Sequence, residues 1–235
     1  MSVVRYSKIF PKSVVALTTD RGCDFFFSKS TPNLTHKQKM FFVRHKVKGV
    51  NNFYNIQQIH GKRVILAKKK DFNNQKSIPK ADALVTNEKG VVLAVRTADC
   101  IPLFLFDPKN KALGLIHGGW RSIKKEIVAV TIKIMTVKYK TRSKDLKVAF
   151  GPSIRACCFE VEKSFLKKFP TSAVEKNGKY YVDLVSVAKK QLKGLGVQQK
   201  NIFDVKICTC CNHQFFSFRR GDTSSGRIAS VAVLT

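Results

Sequence analysis

Short runs of apolar residues, alternating with polar ones or standing together, follow one another along the chain and predict many strands and few helices. Residues 14–19 and 63–66 read as strands, as do residues 53–60 up to Gly61. Residues 91–95 are consecutively apolar, the pattern of a strand buried on both faces. Strands at 103–106 and 112–116 flank Asp107-Pro108-Lys109-Asn110, and others follow at 148–150, 202–207, 215–218 and 229–234. Thr35, with Gln38 three residues on, has capping-box spacing and opens a helix that Gly49 ends. Ile123, Ile127, Val130 and Ile134 recur at helical spacing, and Asp183 caps a helix running to Gly194. No repeat and no linker is visible, so the expectation is one α+β domain of the α/β type over residues 1–235, its mixed sheets flanked by helices.

The central hairpin carries the first chemical inference. Asp107 and Pro108 suit the first two positions of a type I turn. If residues 107–110 form that turn, Phe106 pairs with Lys111, and the same ladder sets Cys100 opposite His117. Directly opposed residues have Cβ atoms about 4.5–5.5 Å apart, close enough to share a metal ion or a proton. A thiolate and an imidazole are ligands that zinc favours. They also make a nucleophile and its base, so a cysteine hydrolase acting through Cys100 fits the pair equally well. After His117, Gly118-Gly119-Trp120-Arg121 leads from strand into helix, where N–H groups favour an anion and Arg121 could add a charge-assisted contact.

Composition changes this picture little. At 44% hydrophobic over 235 residues the chain can build a sizeable core, and no apolar run approaches the ~20 residues of a membrane-spanning helix. The first ten residues lack an apolar signal region, and seven cysteines, an odd number, do not suggest a disulfide framework; a cytoplasmic protein is expected. The net charge of +29 would attract nucleic acid or anionic substrates, but it is spread along the chain, and no nucleic-acid-binding motif accompanies it. A basic nucleic-acid-binding protein is therefore the rival of another class, and a lysine-rich solvated surface the simpler reading. Cys208 and Cys211 have Cys-x-x-Cys spacing, yet adjacent Cys157 and Cys158 are not a second such pair, so the C-terminal cysteines are expected to be small buried apolar groups.

Several motifs in order carry a resemblance: Gln58-Ile59-His60-Gly61, Ala81-Asp82-Ala83-Leu84-Val85-Thr86, Thr97-Ala98-Asp99-Cys100-Ile101-Pro102 and His117-Gly118-Gly119-Trp120-Arg121. They continue with Gly151-Pro152-Ser153-Ile154, Cys158-Phe159-Glu160-Val161, Asp183-Leu184, Cys208-Thr209, Phe215-Phe216-Ser217-Phe218-Arg219-Arg220 and Ser225-Gly226-Arg227. Together they resemble the YfiH family, known variously as laccase-domain, polyphenol oxidase and purine nucleoside phosphorylase proteins. The resemblance implies a zinc site at His60, Cys100 and His117, the third ligand favouring metal over the cysteine-hydrolase reading. It implies phosphorolysis of adenosine, inosine or methylthioadenosine and deamination of adenosine, with phosphate as co-substrate. Arg44, Arg121 and Asn33 are the candidates for substrate or phosphate, and Asp99 reads as a supporting or turn residue beside the thiolate. The family pattern departs near Asn33-Leu34, which runs straight into the Thr35 helix, and at Val43, which stands where an asparagine is usual. Copper is the second choice of metal, although five histidines are too few for several copper centres. Some bacterial members resemble peptidoglycan-precursor editing factors, and that role stays open, as do the monomer and the homodimer.

Overall fold

The alternation of side chains along the central strands sets the layers. A computed structural model of the chain describes residues 2–22, 34–71, 78–222 and 226–235. One sheet has five strands in the order β1 (Val3–Arg5), β2 (Val14–Thr19), β14 (Ile228–Leu234), β6 (Val92–Thr97) and β3 (Phe53–Tyr54). A second has six, in the order β13 (Ile202–Asp204), β9 (Lys147–Phe150), β7 (Ile101–Asp107), β8 (Ala112–Gly118), β5 (Ala83–Thr86) and β4 (Val64–Leu66). A small third sheet joins β10 (Glu160–Val161), β12 (Lys179–Val182) and β11 (Ala173–Lys176). Both large sheets are mixed: the β3–β6, β4–β5 and β9–β13 pairs are parallel, the others antiparallel.

The two large sheets pack face to face. Leu93, Val95, Ala232 and Leu234 of the first meet Phe104, Phe106, Leu113 and Leu115 of the second in one buried cluster. On the far side of the six-stranded sheet, Ile101, Leu103 and Leu105 pack on α3 (Ile127–Tyr139) and α5 (Leu184–Gly194). On the far side of the five-stranded sheet, Val92, Ala94, Val231 and Val233 pack against Phe41 and Phe42 of α1 (His36–Arg44). Strands covered on both faces are apolar at every position, which is why 91–95 reads as a continuous run. Among the described residues, no helix is long and apolar enough to cross a membrane.

The capping box forms: Thr35 Oγ1 accepts from Gln38 N at 3.3 Å, and Gln38 Oε1 accepts from Thr35 N at 2.9 Å. The helix then ends at Arg44, short of Gly49. The helix expected through Ile123 to Ile134 is interrupted at Glu126, whose φ of 60° is left-handed, giving α2 (Trp120–Lys124) and α3. Asp183 caps α5, its Oδ1 accepting from Ser186 N at 2.9 Å. Residues 215–218 form no strand. Arg220 draws the carbonyls of Thr209, Cys210 and Phe215 around its guanidinium and folds this segment into a loop. α4 (Ser164–Lys168) lies between β10 and β11 of the small sheet.

The hairpin register differs from the expected one by two residues. Asp107 pairs with Ala112, and Pro102, not Cys100, stands opposite His117. The turn occupies residues 108–111, one place later than expected, because Asp107 stays in the strand while its Oδ1 accepts from Lys109 N and Asn110 N, and Lys111 adopts a left-handed φ of 48°. A slip of two preserves which face each side chain occupies, whereas a slip of one would reverse it. His117 therefore keeps its predicted face, and Cys100 lies just outside β7.

Candidate metal centre

Three chain segments bring His60, Cys100 and His117 together. His60 sits in the turn before β4, Cys100 in the corner between β6 and β7, and His117 near the end of β8. Their ligand atoms all lie within 4.8 Å of one another. The two imidazole rings meet edge to face, with centroids 4.8 Å apart. Both corners are held in left-handed backbone, His60 at φ 54° and Asp99, just before Cys100, at φ 86°. Such conformations are uncommon outside glycine and cluster at functional sites.

Asp82 organises this centre, and its role was not visible in the sequence. It is fully buried. Its Oδ1 accepts from His117 Nδ1 and from His60 N, both at 2.9 Å. Its Oδ2 accepts from Gly61 N at 2.7 Å and Ile59 N at 3.3 Å. One carboxylate thus shapes the His60 turn and fixes the His117 ring, leaving Nε2 for the cluster, as supporting carboxylates do around metal-binding histidines. Burial works against its charge, but His117 and the Gly61 and His60 amides outweigh that and hold its pKa below the usual carboxylate value. Its signals in the sequence were a lone carboxylate inside the apolar segment 81–85 and its place in the Ala81–Thr86 motif.

Electrostatics favour a thiolate. Burial opposes charge on Cys100, but the nearby His117 cation and hydrogen bonds from His117 and His60 bring its pKa from 9.0 down to about 6. Burial likewise opposes charge on His117, and the Cys100 and Asp82 anions push it from 6.5 up to about 9. Gly119 is required for space: a Cβ there would stand 2.8 Å from His60 Cδ2 and 3.3 Å from Cys100 Sγ. Asp99 is a supporting residue. Its Oδ1 accepts from Thr209 Oγ1 at 2.6 Å and its Oδ2 from Arg219 N at 2.7 Å.

The centre opens into a cleft of about 740 Å³. Arg96, Arg121, Arg219 and Arg227 line it, together with Trp120, Phe159 and Phe218. Phe218 is 61% exposed, unusual for so large an apolar side chain. Arg121 stands on the rim with its guanidinium 4.4 Å from the Trp120 ring. The α2 helix behind it is only five residues long, so it lacks the dipole of a full helix, and any anion contact rests on the arginine itself. Arg44 ends α1, which packs on the outer face of the five-stranded sheet, and is not among the residues lining the cleft. Asn33 and Cys23 lie outside the described residues. The sequence reading did not nominate Arg96, Arg219 or Arg227.

Comparison with known proteins places this architecture. The family model described as multi-copper polyphenol oxidoreductase laccase matches residues 32–235. The chain belongs to this family. A relative from Aquifex aeolicus (strain VF5), named purine nucleoside phosphorylase, is 35% identical over 213 residues, 90% of this chain and 98% of its own length. The crystal structure of YlmD from Geobacillus stearothermophilus superposes with a TM-score of 0.83 at 25% identity, covering 100% of this chain and 96% of that one. The Neisseria meningitidis protein NMB0706 superposes with a TM-score of 0.81 at 26% identity, covering 100% and 99%. The expected YfiH resemblance and the mixed α/β fold are both borne out.

Proposed function

We propose that the chain is a zinc-dependent enzyme of purine nucleosides, catalysing phosphorolysis of adenosine, inosine or methylthioadenosine and deamination of adenosine. The observation that carries this reading is the convergence of His60, Cys100 and His117 at the floor of an arginine-lined cleft. Relatives named purine nucleoside phosphorylase supply the reaction class. Two imidazoles and a thiolate suit zinc with a fourth position open to a reactant. Copper in a site of this composition usually has a weak axial methionine, and no methionine lines the cleft among the described residues. A bound zinc would supply Lewis acidity to an oxygen nucleophile at neutral pH.

The protein's own groups divide the remaining work. Asp82 keeps His117 oriented and its Nδ1 protonated. The cleft arginines, Arg121 on the rim foremost, supply positive charge for phosphate. Phe218 and Phe159 offer apolar faces for a purine base. Asp82, His117 and Cys100 also line up as carboxylate, base and nucleophile, so a cysteine hydrolase is the second reading. Metal analysis separates the two. Under the zinc reading, His60→Ala and Cys100→Ala each lose one zinc relative to wild type and all nucleoside turnover. Retention of that zinc by both variants overturns it. Arg121→Ala is expected to raise the KM for phosphate and leave adenosine deamination near wild type, while Arg44→Ala changes neither.

A further inference from the structure

A second group of sulfur atoms converges outside the cleft's metal centre. The Sγ atoms of Cys157, Cys158, Cys208 and Cys211 all lie within 4.8 Å of one another. Cys211 Sγ is 3.3 Å from Cys158 Sγ and 3.6 Å from Cys157 Sγ. Four thiolates at ~2.3 Å around one zinc ion stand about 3.8 Å apart, so the group already has nearly the size of a tetrahedral ligand set. A disulfide needs ~2.05 Å between sulfurs. The expectation that the C-terminal cysteines are buried apolar groups fails for Cys211, which is exposed, and Cys208 is only partly covered; Cys157 is exposed and Cys158 partly covered.

The backbone explains how adjacent cysteines can face one point. Residues 155–158 turn tightly, with Cys158 N and Phe159 N both donating to Arg155 O at 2.9 Å. Residues 208–212 make a second turn, closed by Asn212 N donating to Cys208 O at 3.0 Å. The two turns are tied where Ser153 bridges Cys208, with Thr209 N donating to Ser153 O at 3.2 Å. Backbone amides of Cys211, Cys210 and Arg155 point at the Cys208 sulfur. Four thiolates around a divalent ion leave two negative charges, and guanidiniums stand close by. Arg219 donates to Cys158 O at 3.3 Å, and Arg220 donates to Cys210 O at 2.9 Å.

We propose that Cys157, Cys158, Cys208 and Cys211 form a second, structural metal centre holding one zinc ion in a tetrathiolate site. All four coordination positions are then protein ligands, as in a structural and not a catalytic zinc site. Its place in the fold gives it a task. The loop it pins carries Thr209 and Arg219, which hold the Asp99 corner beside Cys100, and Phe218, which lines the cleft. The second ion would brace the wall of the first.

Zinc per chain, counted by native mass spectrometry on the protein purified under reducing conditions, tests this. Wild type is expected to hold two zinc ions, and Cys211→Ser and His60→Ala one each. Cys210→Ser, altering a thiol outside the group, is expected to keep both. Zinc content unchanged by Cys211→Ser overturns the second centre and leaves the first intact, whereas loss only in Cys211→Ser removes the first and leaves the second. If Cys211→Ser does not fold, alkylation of the wild-type protein decides. Cys157, Cys158, Cys208 and Cys211 should be protected until a strong chelator is added. Equal labelling of those four with and without chelator, or a disulfide among them, refutes the site.

Discussion

Replacing Asp82 with asparagine tests the core of the proposed centre, because this substitution keeps size and shape while removing one acceptor. Each carboxylate oxygen accepts two hydrogen bonds: Oδ1 from His60 N and His117 Nδ1, Oδ2 from Ile59 N and Gly61 N. An asparagine amide offers one oxygen and one NH2, so either orientation sets a donor against two donors. A buried donor left without its partner costs about 1–3 kcal/mol. Because the His60 turn is partly open to water, a total near 2 kcal/mol is the appropriate expectation. For a chain of this length that corresponds to a Tm lower by roughly 4–8 °C. Metal binding should suffer separately: losing the carboxylate behind a ligating histidine typically costs about 10–100-fold in affinity, or about 1.4–2.7 kcal/mol. Zinc affinity would be measured by competition with a chromophoric chelator, with His60→Ala as the baseline for zinc held elsewhere. Thermal unfolding of the zinc-free proteins supplies the stability difference. An Asp82→Asn protein whose Tm and zinc affinity both match wild type would refute the account of Asp82 as the organiser of the site.

Three further outcomes are expected. Gly119→Ala, whose φ of −72° suits alanine, should keep the fold but displace the His60 ring, which its Cβ would approach to 2.8 Å, weakening zinc binding at least about tenfold in the same competition assay. Asp204 is partly buried, which raises its pKa, but Arg155 and Lys189 bonded at 2.7–3.0 Å outweigh this and lower it from 3.8. The stability it contributes is therefore present above its unfolded pKa and lost as pH falls through the lower folded value, so Asp204→Asn should cost about 2–3 kcal/mol at neutral pH and flatten the acid limb of the stability curve. Binding to DNA or RNA, followed by fluorescence anisotropy, should be weak, indifferent to sequence and steeply reduced between low and physiological salt, because the charge of +29 is spread along the chain.

The layers were legible because periodicity reports burial. Strands 91–95 and 103–106 were recognisable from apolar runs that both neighbouring layers cover, and the Thr35 capping box from two residues at fixed spacing. What failed was decided by contacts distant in sequence. Residues 215–218 have strand-like composition, but the Arg220 side chain takes carbonyls there and at 209–210, and no ladder forms. The small sheet of β10, β11 and β12 has exposed, charged positions such as Glu175 and Lys176, which give no amphipathic signal.

Cys100 and His117, paired on a partly wrong geometric argument, are still brought together by the fold. The assumed turn misplaced the hairpin register, yet the error was even, so His117 stayed on the face that meets Cys100. The proposed third ligand had no such local support: His60 comes from a turn whose position depends on Asp82, in a strand register far along the chain, and only the order of motifs pointed to it. The four-cysteine group fails to register for the converse reason. Spacing rules for zinc assume that each ligand pair flanks two residues of a turn, and Cys157 and Cys158 flank none. Their sulfurs meet those of Cys208 and Cys211 because Arg155 O accepts from two successive amides, closing the chain tightly enough to bring adjacent side chains to one side. Motif spacing therefore detects ligands offered by a single turn, whereas ligands assembled between two turns are visible only once the pairing of Ser153 with Cys208 is known.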